Sequence, residues 1–198
     1  MIVAISGYAG SGKDTVANII CANDESFKIK KFADKLKKIA SILTSIHPDR
    51  FEEQEFKHTY MPSEWKQKRL VDGEYKDSNM TVREFLQMLG TEAVRQGLHE
   101  NTWVNALFSD YKKGDNWVIT DCRFPNEFKE VKRRGGVTVY ISRPEVRPVN
   151  GHSSEVALEG YDFDYVIPND TTIESLVHHV QDLYNNVIKK RGGQASSL

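Results

Sequence analysis

The chain has 198 residues, which is enough for one large domain with a substantial hydrophobic core. Its 27 lysines and arginines are balanced by 28 acidic residues, and the net charge of −1 argues against a binding track for polymeric nucleic acid. The two cysteines, Cys21 and Cys122, form no CxxC pair, so neither a disulfide framework nor a zinc knuckle is expected. The N-terminal residues resemble neither a signal peptide nor a transmembrane helix, and the expected location is the cytoplasm.

Apolar periodicity predicts an alternation of strands and helices along the chain. Four short apolar runs are predicted to be buried strands: 2–6, 117–120, 137–141 and 165–167. Helices are predicted around them at 13–22, 33–44, 82–96, 102–111, 125–134 and 171–189. Strands that alternate with helices in this way predict an α/β domain with a mostly parallel sheet.

Two charged stretches depart from this pattern. Residues 45–79 have poor periodicity and contain prolines, and we expect an insertion or mobile subdomain with some short helix there. The basic run at 28–31 is expected to be a solvated face. After the insertion, Thr81 and Glu84 have the spacing of a capping box, which predicts the beginning of the next helix.

The strongest motif lies between the first strand and the first helix. Residues 7–15 read GYAGSGKDT and match the phosphate-loop pattern GxxxxGK. Glycines let backbone N–H groups turn towards phosphate oxygens, and the N-terminus of the helix adds partial positive charge. Lys13 supplies a mobile cation for the β- and γ-phosphates. The residues expected to contact the phosphates are Gly10, Ser11, Gly12, Lys13 and Thr15. The alternative is a glycine-rich turn that binds no ligand.

Two carboxylates are candidate ligands of Mg²⁺. The residue after the loop lysine is usually Ser or Thr, whose hydroxyl binds the ion, but here it is Asp14. A carboxylate at this position could hold Mg²⁺ or could repel the triphosphate. Asp121 follows the predicted strand 117–120, at the sheet edge that faces the ligand crevice of a parallel α/β fold. The alternative for Asp121 is a turn residue or a helix cap.

Several short motifs follow one another in a specific order. They are SGKDT at 11–15, VREFLQMLGTE at 82–92, WV at 103–104, TDCRFPNE at 120–127 and SRP at 142–144. In this order they resemble the deoxynucleoside monophosphate kinases of bacteriophages, which belong to the P-loop nucleoside monophosphate kinase superfamily. The resemblance extends from residue 1 to about 186 and is weakest between 45 and 79.

This resemblance implies a three-layer α/β/α P-loop NTPase fold with a helical NMP-binding insertion and a short lid. The whole chain, 1–198, would be a single kinase domain. Its core would be formed by 1–44 and 81–198, the insertion by 45–80 and the lid by 143–155. ATP and Mg²⁺ would be the cosubstrates, and a phage-encoded enzyme would act in the host cytoplasm. A homodimer is left open.

The resemblance also implies which residues bind the acceptor. Arg83, Gln87, Trp103 and Arg123 occupy matching motif positions and would face the monophosphate. Arg83 and Gln87 are four residues apart on one predicted helix, so their side chains project together, one suited to a phosphate and the other to a base edge. Trp103 could stack on a base or belong to the core, and both interpretations stay open. Arg69 is a further candidate for the acceptor phosphate.

Side chains after the last two strands are candidates for contacts with the donor. In the predicted lid, Arg143 and Arg147 could close over the transferring phosphoryl group and neutralise its charge, although a basic surface loop is the alternative. Asn169 would lie beside the purine of ATP, or in a turn before a capping box formed by Thr171 and Glu174.

The leading hypothesis is in-line phosphoryl transfer from ATP to a (deoxy)nucleoside monophosphate. Catalysis would depend on positioning and on charge neutralisation by Lys13, Mg²⁺, Arg123 and Arg143. A P-loop kinase for another small phosphorylated acceptor is the alternative enzyme, and a nucleotide-binding regulator is the alternative outside catalysis. The chain lacks the NKxD motif that would favour a GTPase switch.

Overall fold

The computed structural model describes residues 1–146 and 157–190, and these residues form two compact units. The first unit contains residues 1–32 and the described residues from 107 onwards, and the second contains residues 33–106. The insertion predicted at 45–80 lies within the second unit. No helix in the described part of the chain is long and apolar enough to cross a membrane.

Seven strands and seven α-helices are assigned among the described residues. The strands are β1 (Ile2–Ser6), β2 (Phe27–Lys30), β3 (Gln67–Val71), β4 (Glu74–Ser78), β5 (Asn116–Ile119), β6 (Val137–Ser142) and β7 (Tyr165–Pro168). The helices are α1 (Lys13–Asn23), α2 (Ala33–Thr44), α3 (Gln54–Lys57), α4 (Val82–Gln87), α5 (Thr102–Phe108), α6 (Pro125–Arg133) and α7 (Ile173–Leu183). Two π-helical segments, Met88–Gln96 and Tyr184–Ile188, directly continue α4 and α7.

The first unit is built around a five-stranded parallel sheet with the strand order β2–β5–β1–β6–β7. Strand β1 lies at its centre and is buried along its whole length, as its continuous apolar run predicts. Helices α1 and α7 pack on one face, where Val3 and Ile5 belong to the main core cluster. Helix α6 packs against β1 and β6 on the other face, where Phe128 contacts Phe163. The unit therefore has three layers, α/β/α, as predicted.

The second unit has its own small hydrophobic core. Phe51 is fully buried and clusters with side chains from α2 and α4, including Ala40, Val82 and Phe85. Two short 3₁₀ turns and α3 precede the antiparallel hairpin formed by β3 and β4. The longer helices of this unit lie outside 45–80, and within that range the structure has only short helical turns, α3 and the hairpin.

Several predicted boundaries are confirmed and others need correction. The capping box at Thr81 and Glu84 is present, with both of its hydrogen bonds formed. The box predicted at Thr171 and Glu174 is wrong, because the side chain of Thr172 accepts from the backbone N–H of Ser175 and caps α7 one residue later. Strand β2 and the β3–β4 hairpin were not predicted. In β2 the alternation of Phe27 and Ile29 with two lysines is only four residues long, and most side chains of the hairpin are exposed.

Candidate active site

The phosphate loop connects β1 to α1 at the carboxyl edge of the parallel sheet. Gly7, Gly10 and Gly12 have φ values of 142°, 80° and 100°, a region that other residues rarely adopt. A Cβ atom on Gly7 would lie 2.7 Å from Ser11 Oγ and 2.8 Å from the Ile141 carbonyl oxygen. At Gly7 the turn therefore leaves no space for a side chain.

The interior of the loop has the features of an anion site. Lys13 Nζ donates to the carbonyl oxygens of Gly7 and Tyr8, at 2.8 Å and 2.6 Å, which holds the ammonium group at the loop. Ser11 is only 1% exposed, and its Oγ has no hydrogen-bond partner among the described residues. A buried hydroxyl without a partner is uncommon in folded proteins. Together with the N–H groups at the start of α1, these groups fit a bound phosphate chain.

Two side chains from neighbouring strand ends donate hydrogen bonds to carbonyl oxygens of the loop. Arg143, directly after β6, donates from Nη1 to the Gly10 carbonyl oxygen at 3.2 Å. Asn169, directly after β7, donates from Nδ2 to the Ser11 carbonyl oxygen at 2.9 Å. The sequence predicts Arg143 in the lid and Asn169 beside the purine, and neither contact with the loop follows from it. The only sequence signal was the position of both residues after predicted strands, at the edge where the loop lies.

The two candidate Mg²⁺ ligands lie on different elements of the first unit. The Asp14 side chain is 72% exposed in the first turn of α1, and its Oδ1 lies 3.7 Å from Lys31 Nζ. Asp121 follows β5, and its Oδ1 accepts from the backbone N–H of Phe32 at 2.8 Å. The described residues contain no cluster of three or more His, Cys, Asp or Glu side chains suited to a metal. Mg²⁺ in nucleotide sites usually needs only one or two carboxylates together with phosphate and water, so Asp14 and Asp121 stay the candidate ligands without such a cluster.

Arg123 lines a cavity beside the phosphate loop. The other residues lining this cavity are Ser6, Gly7, Tyr8, Tyr140, Leu158 and Glu159. The backbone N–H of Arg123 donates to Glu127 Oε2 at 2.8 Å, and Glu127 is a buried carboxylate in the first turn of α6. This bond fixes the main chain from which the guanidinium extends. Arg123 thus lies at the loop end of the sheet, and its contact with the acceptor phosphate stays a prediction.

A tyrosine–carboxylate pair belongs to the same cavity. The Tyr8 hydroxyl donates to Glu159 Oε1 at 2.6 Å. Because ionisation of the phenol would place a second negative charge beside this carboxylate, the hydrogen bond to Glu159 raises the pKa of Tyr8 to about 12. Tyr8 is therefore neutral and acts as a donor at physiological pH. The GxxxxGK motif assigns no role to Tyr8, because Tyr8 occupies an x position, where any residue is accepted.

In the second unit, two of the predicted acceptor-binding arginines form side-chain contacts. Arg69 contacts a residue of α4, and Arg83, on α4, contacts a residue of α3. Arg69 on β3 forms an ion pair with Glu84, with Nη2 and Oε1 2.8 Å apart. The hydrogen bond from Arg69, followed by that from the Thr81 N–H, lowers the pKa of Glu84. Arg83 donates from Nη2 to Gln54 Oε1 at 3.3 Å, while its Nε is buried without a hydrogen-bond partner among the described residues. Arg69 and the first turn of α4 are therefore held together within this unit.

The remaining predicted acceptor residues differ in their surroundings. Gln87 is half-buried at the end of α4, one turn after Arg83. Trp103 is only 4% exposed, and its Nε1 donates to the Gly90 carbonyl oxygen at 2.8 Å. This burial favours the interpretation of Trp103 as a core residue. Of the predicted lid at 143–155, residues 147–155 lie outside the described residues.

Comparisons with known proteins identify the family of the chain. The family model "Deoxynucleotide monophosphate kinase" matches residues 41–180. A protein of Acanthamoeba polyphaga mimivirus, provisionally named deoxynucleotide monophosphate kinase, is 30% identical over 200 residues, which is 94% of this chain and 97% of the relative. The deoxynucleoside-5′-monophosphate kinase of Escherichia phage T5 is 26% identical over 64% of this chain and 70% of its own length. The deoxynucleotide monophosphate kinase of Enterobacteria phage T4 is 26% identical over 54% of this chain and 46% of its own length.

A solved structure, the shikimate kinase of Aquifex aeolicus, is similar over 100% of both chains with a TM-score of 0.44 and 15% sequence identity. The family assignment rests on the sequence relatives instead. The family model spans more than two thirds of the chain, and the mimivirus relative is similar over almost all of it. The chain therefore belongs to the deoxynucleotide monophosphate kinase family.

Proposed function

We propose that this chain transfers the γ-phosphoryl group of ATP to a deoxynucleoside monophosphate, with a deoxynucleoside diphosphate and ADP as products. The observation that carries the proposal is the phosphate loop of a family member. It has glycines at positive φ, Lys13 bound to loop carbonyls and a buried Ser11 hydroxyl without a partner. These features support binding of a triphosphate.

The donor is proposed to bind the first unit. Backbone N–H groups of the loop and of the first turn of α1 would donate to the phosphate oxygens, and the Thr15 hydroxyl would add a further hydrogen bond. Lys13 would exchange its bonds to the loop carbonyls for bonds to the β- and γ-phosphates. When bound, Mg²⁺ would neutralise charge on these phosphates, and Asp14 and Asp121 would hold it.

Arg69, Arg83, Gln87 and Arg123 are the proposed acceptor-binding residues. Guanidinium groups recognise a phosphate in bidentate fashion, and an amide suits the donors and acceptors of a base edge. Trp103 would support α5 from the interior instead of stacking on the base. The proposed location is the cytoplasm. A homodimer stays an open alternative to a monomer.

The proposed reaction requires no covalent enzyme intermediate. An oxygen of the acceptor phosphate attacks the γ-phosphorus, the bond from that phosphorus to the β–γ bridging oxygen breaks, and ADP leaves. The attacking oxygen is already nucleophilic, so the protein has to align the two nucleotides and neutralise the negative charge. Lys13, Arg123 and Arg143 are suited to that task because cationic side chains form charge-assisted hydrogen bonds with phosphate oxygens.

A coupled assay of ADP release across a panel of NMPs and dNMPs tests the activity directly. We expect turnover with at least one dNMP, and we expect Lys13→Ala to abolish it while the circular dichroism spectrum stays native. Near-native kcat in the folded Lys13→Ala variant would refute the proposal. Release of ADP only with a phosphorylated acceptor that lacks a base would favour the alternative kinase.

The acceptor assignment has its own test. Each arginine contact to the phosphate contributes roughly 1.5–3 kcal/mol, so Arg83→Ala and Arg123→Ala should raise the KM for the dNMP by about 10- to 100-fold. The KM for ATP should change much less. Arg50→Ala and Arg133→Ala are matched controls, because both side chains are exposed and pair with a carboxylate three residues away. An effect confined to the KM for ATP would place Arg83 or Arg123 on the donor side.

A further inference from the structure

The contact between Asn169 and the phosphate loop joins distant parts of the first unit. Asn169 Nδ2 donates to the Ser11 carbonyl oxygen at 2.9 Å, across 158 positions of sequence. Its backbone N–H donates to the Ser142 carbonyl oxygen at 2.8 Å, which anchors the residue to the end of β6. The backbone of Asn169 is therefore held by the end of β6, and its side-chain amide extends from there to the loop.

The loop is shaped to admit this side chain. A Cβ atom on Gly12 would lie 2.7 Å from Asn169 Nδ2, so a side chain at this position would displace the amide from its present place. Gly12 also has φ of 100°, where other residues are strained. Asn169 and Gly12, the last glycine of the motif, therefore fit each other as a pair.

Holding the Ser11 carbonyl has a consequence for phosphate binding. A peptide group is planar and trans, so the Gly12 N–H points in the direction opposite to the Ser11 C=O. When Asn169 binds the carbonyl oxygen from one side, the N–H is directed away from Asn169. That N–H is one of the loop donors available to a phosphate oxygen.

We propose that Asn169 is a positioning residue that orients the Ser11–Gly12 peptide for phosphate binding, an inference that rests on the proposed kinase function. A neutral amide suits this task because it donates to the carbonyl without adding charge. A carboxylate at the same place would face the carbonyl oxygen and add a negative charge near the phosphates. If Asn169 instead contacted the purine, its removal would leave the affinity for a phosphate chain without a base unchanged.

Isothermal titration with ATP and with sodium tripolyphosphate, both in Mg²⁺ buffer, separates these roles. One lost neutral hydrogen bond corresponds to a roughly two- to tenfold weaker affinity, so Asn169→Ala should weaken both ligands to that extent. The near-isosteric Asn169→Asp should weaken both by at least as much. The KM for ATP should rise and the KM for the dNMP should not. Asn23→Ala is the matched control, because Asn23 Nδ2 donates to the Ile19 carbonyl oxygen at 3.0 Å at the other end of α1.

Each result has a defined meaning. Unchanged tripolyphosphate affinity in both Asn169 variants would overturn the inference, and a loss confined to ATP would assign Asn169 to the base instead. Titrations are run well below the melting temperature of each variant, so a lower stability alone does not change the dissociation constants. If Asn169→Ala does not fold, Asn169→Asp gives the same comparison. Wild-type protein that binds neither ligand would refute the proposed function itself.

Discussion

The close packing around Gly7 predicts that a side chain at this position of the phosphate loop destabilises the fold. In Gly7→Ala, the added Cβ would lie 2.8 Å from the Ile141 carbonyl oxygen and 2.7 Å from Ser11 Oγ. The carbonyl belongs to the backbone of β6, which pairs with β1 at this level and cannot rotate away. The residue also has φ of 142°, so the substituted backbone would be strained. Relief of the overlap requires β1 and β6 to move apart, which disturbs the centre of the sheet.

The magnitude follows from two contributions. An unfavourable backbone conformation costs about 1–3 kcal/mol, and overpacking costs about another 1–3 kcal/mol, so Gly7→Ala should lower the free energy of unfolding by roughly 2–6 kcal/mol. Gly10 is the matched control, because it has φ of 80° in the same loop and a Cβ there would meet nothing within 4 Å. Gly10→Ala should therefore lose only about 1–2 kcal/mol, the cost of a left-handed conformation.

Urea denaturation of the two variants, followed by tryptophan fluorescence, measures this difference. In a chain of this size, 1 kcal/mol corresponds to a shift of about 2–4 °C in Tm, so a thermal melt also resolves it. We expect Gly7→Ala to melt several degrees below Gly10→Ala. Equal losses in the two variants would refute the reasoning, because both have positive φ and only Gly7 has the close contact.

Three further predictions concern other groups of the first unit. Asp14→Asn should raise the Mg²⁺ concentration needed for half-maximal activity while leaving the KM for the dNMP unchanged, and unaltered Mg²⁺ activation would leave Asp121 as the main carboxylate. Thr120 is 2% exposed and its Oγ1 has no hydrogen-bond partner among the described residues, so Thr120→Val should stabilise the nucleotide-free protein by about 1 kcal/mol or more, and a lower Tm would contradict this. Since the folded-state pKa of Tyr8 is raised from 10.0 to about 12, its bond to Glu159 stabilises the fold fully below pH 10 and loses this effect as the pH rises through 12. Glu159→Gln should return the pKa of Tyr8 towards 10.0 in an NMR titration of labelled tyrosine, and an unchanged value would contradict the assignment.

Features that depend on neighbouring residues in the sequence could be predicted. The buried strands β1 and β5 appear as continuous apolar runs, and the Thr81 capping box appears from a spacing of three residues. The phosphate loop is also local, since its glycines, Lys13 and the start of α1 lie within one stretch of nine residues, 7–15. Local sequence fixes these features because the groups that satisfy one another are only a few bonds apart.

Elements with exposed side chains escaped prediction. Strand β2 occupies an edge of the sheet, and its lysines suggested only a solvated face. Charged residues are common on edge strands because they discourage pairing with other chains, so the same lysines fit the strand. The β3–β4 hairpin is exposed on most of its residues and lacks the apolar alternation that identifies a half-buried strand.

The sequence by itself determined that a phosphate loop joins a buried strand to a helix, and which arginines and carboxylates are candidates around it. Tertiary structure decided that Trp103 is buried against the Gly90 carbonyl, and that Asn169 and Arg143 contact the carbonyls of the loop. These contacts join residues that are 13 to 158 positions apart. No local pattern encodes the two contacts with the loop, because the parallel order β1–β6–β7 is what brings the strand ends to one edge of the sheet.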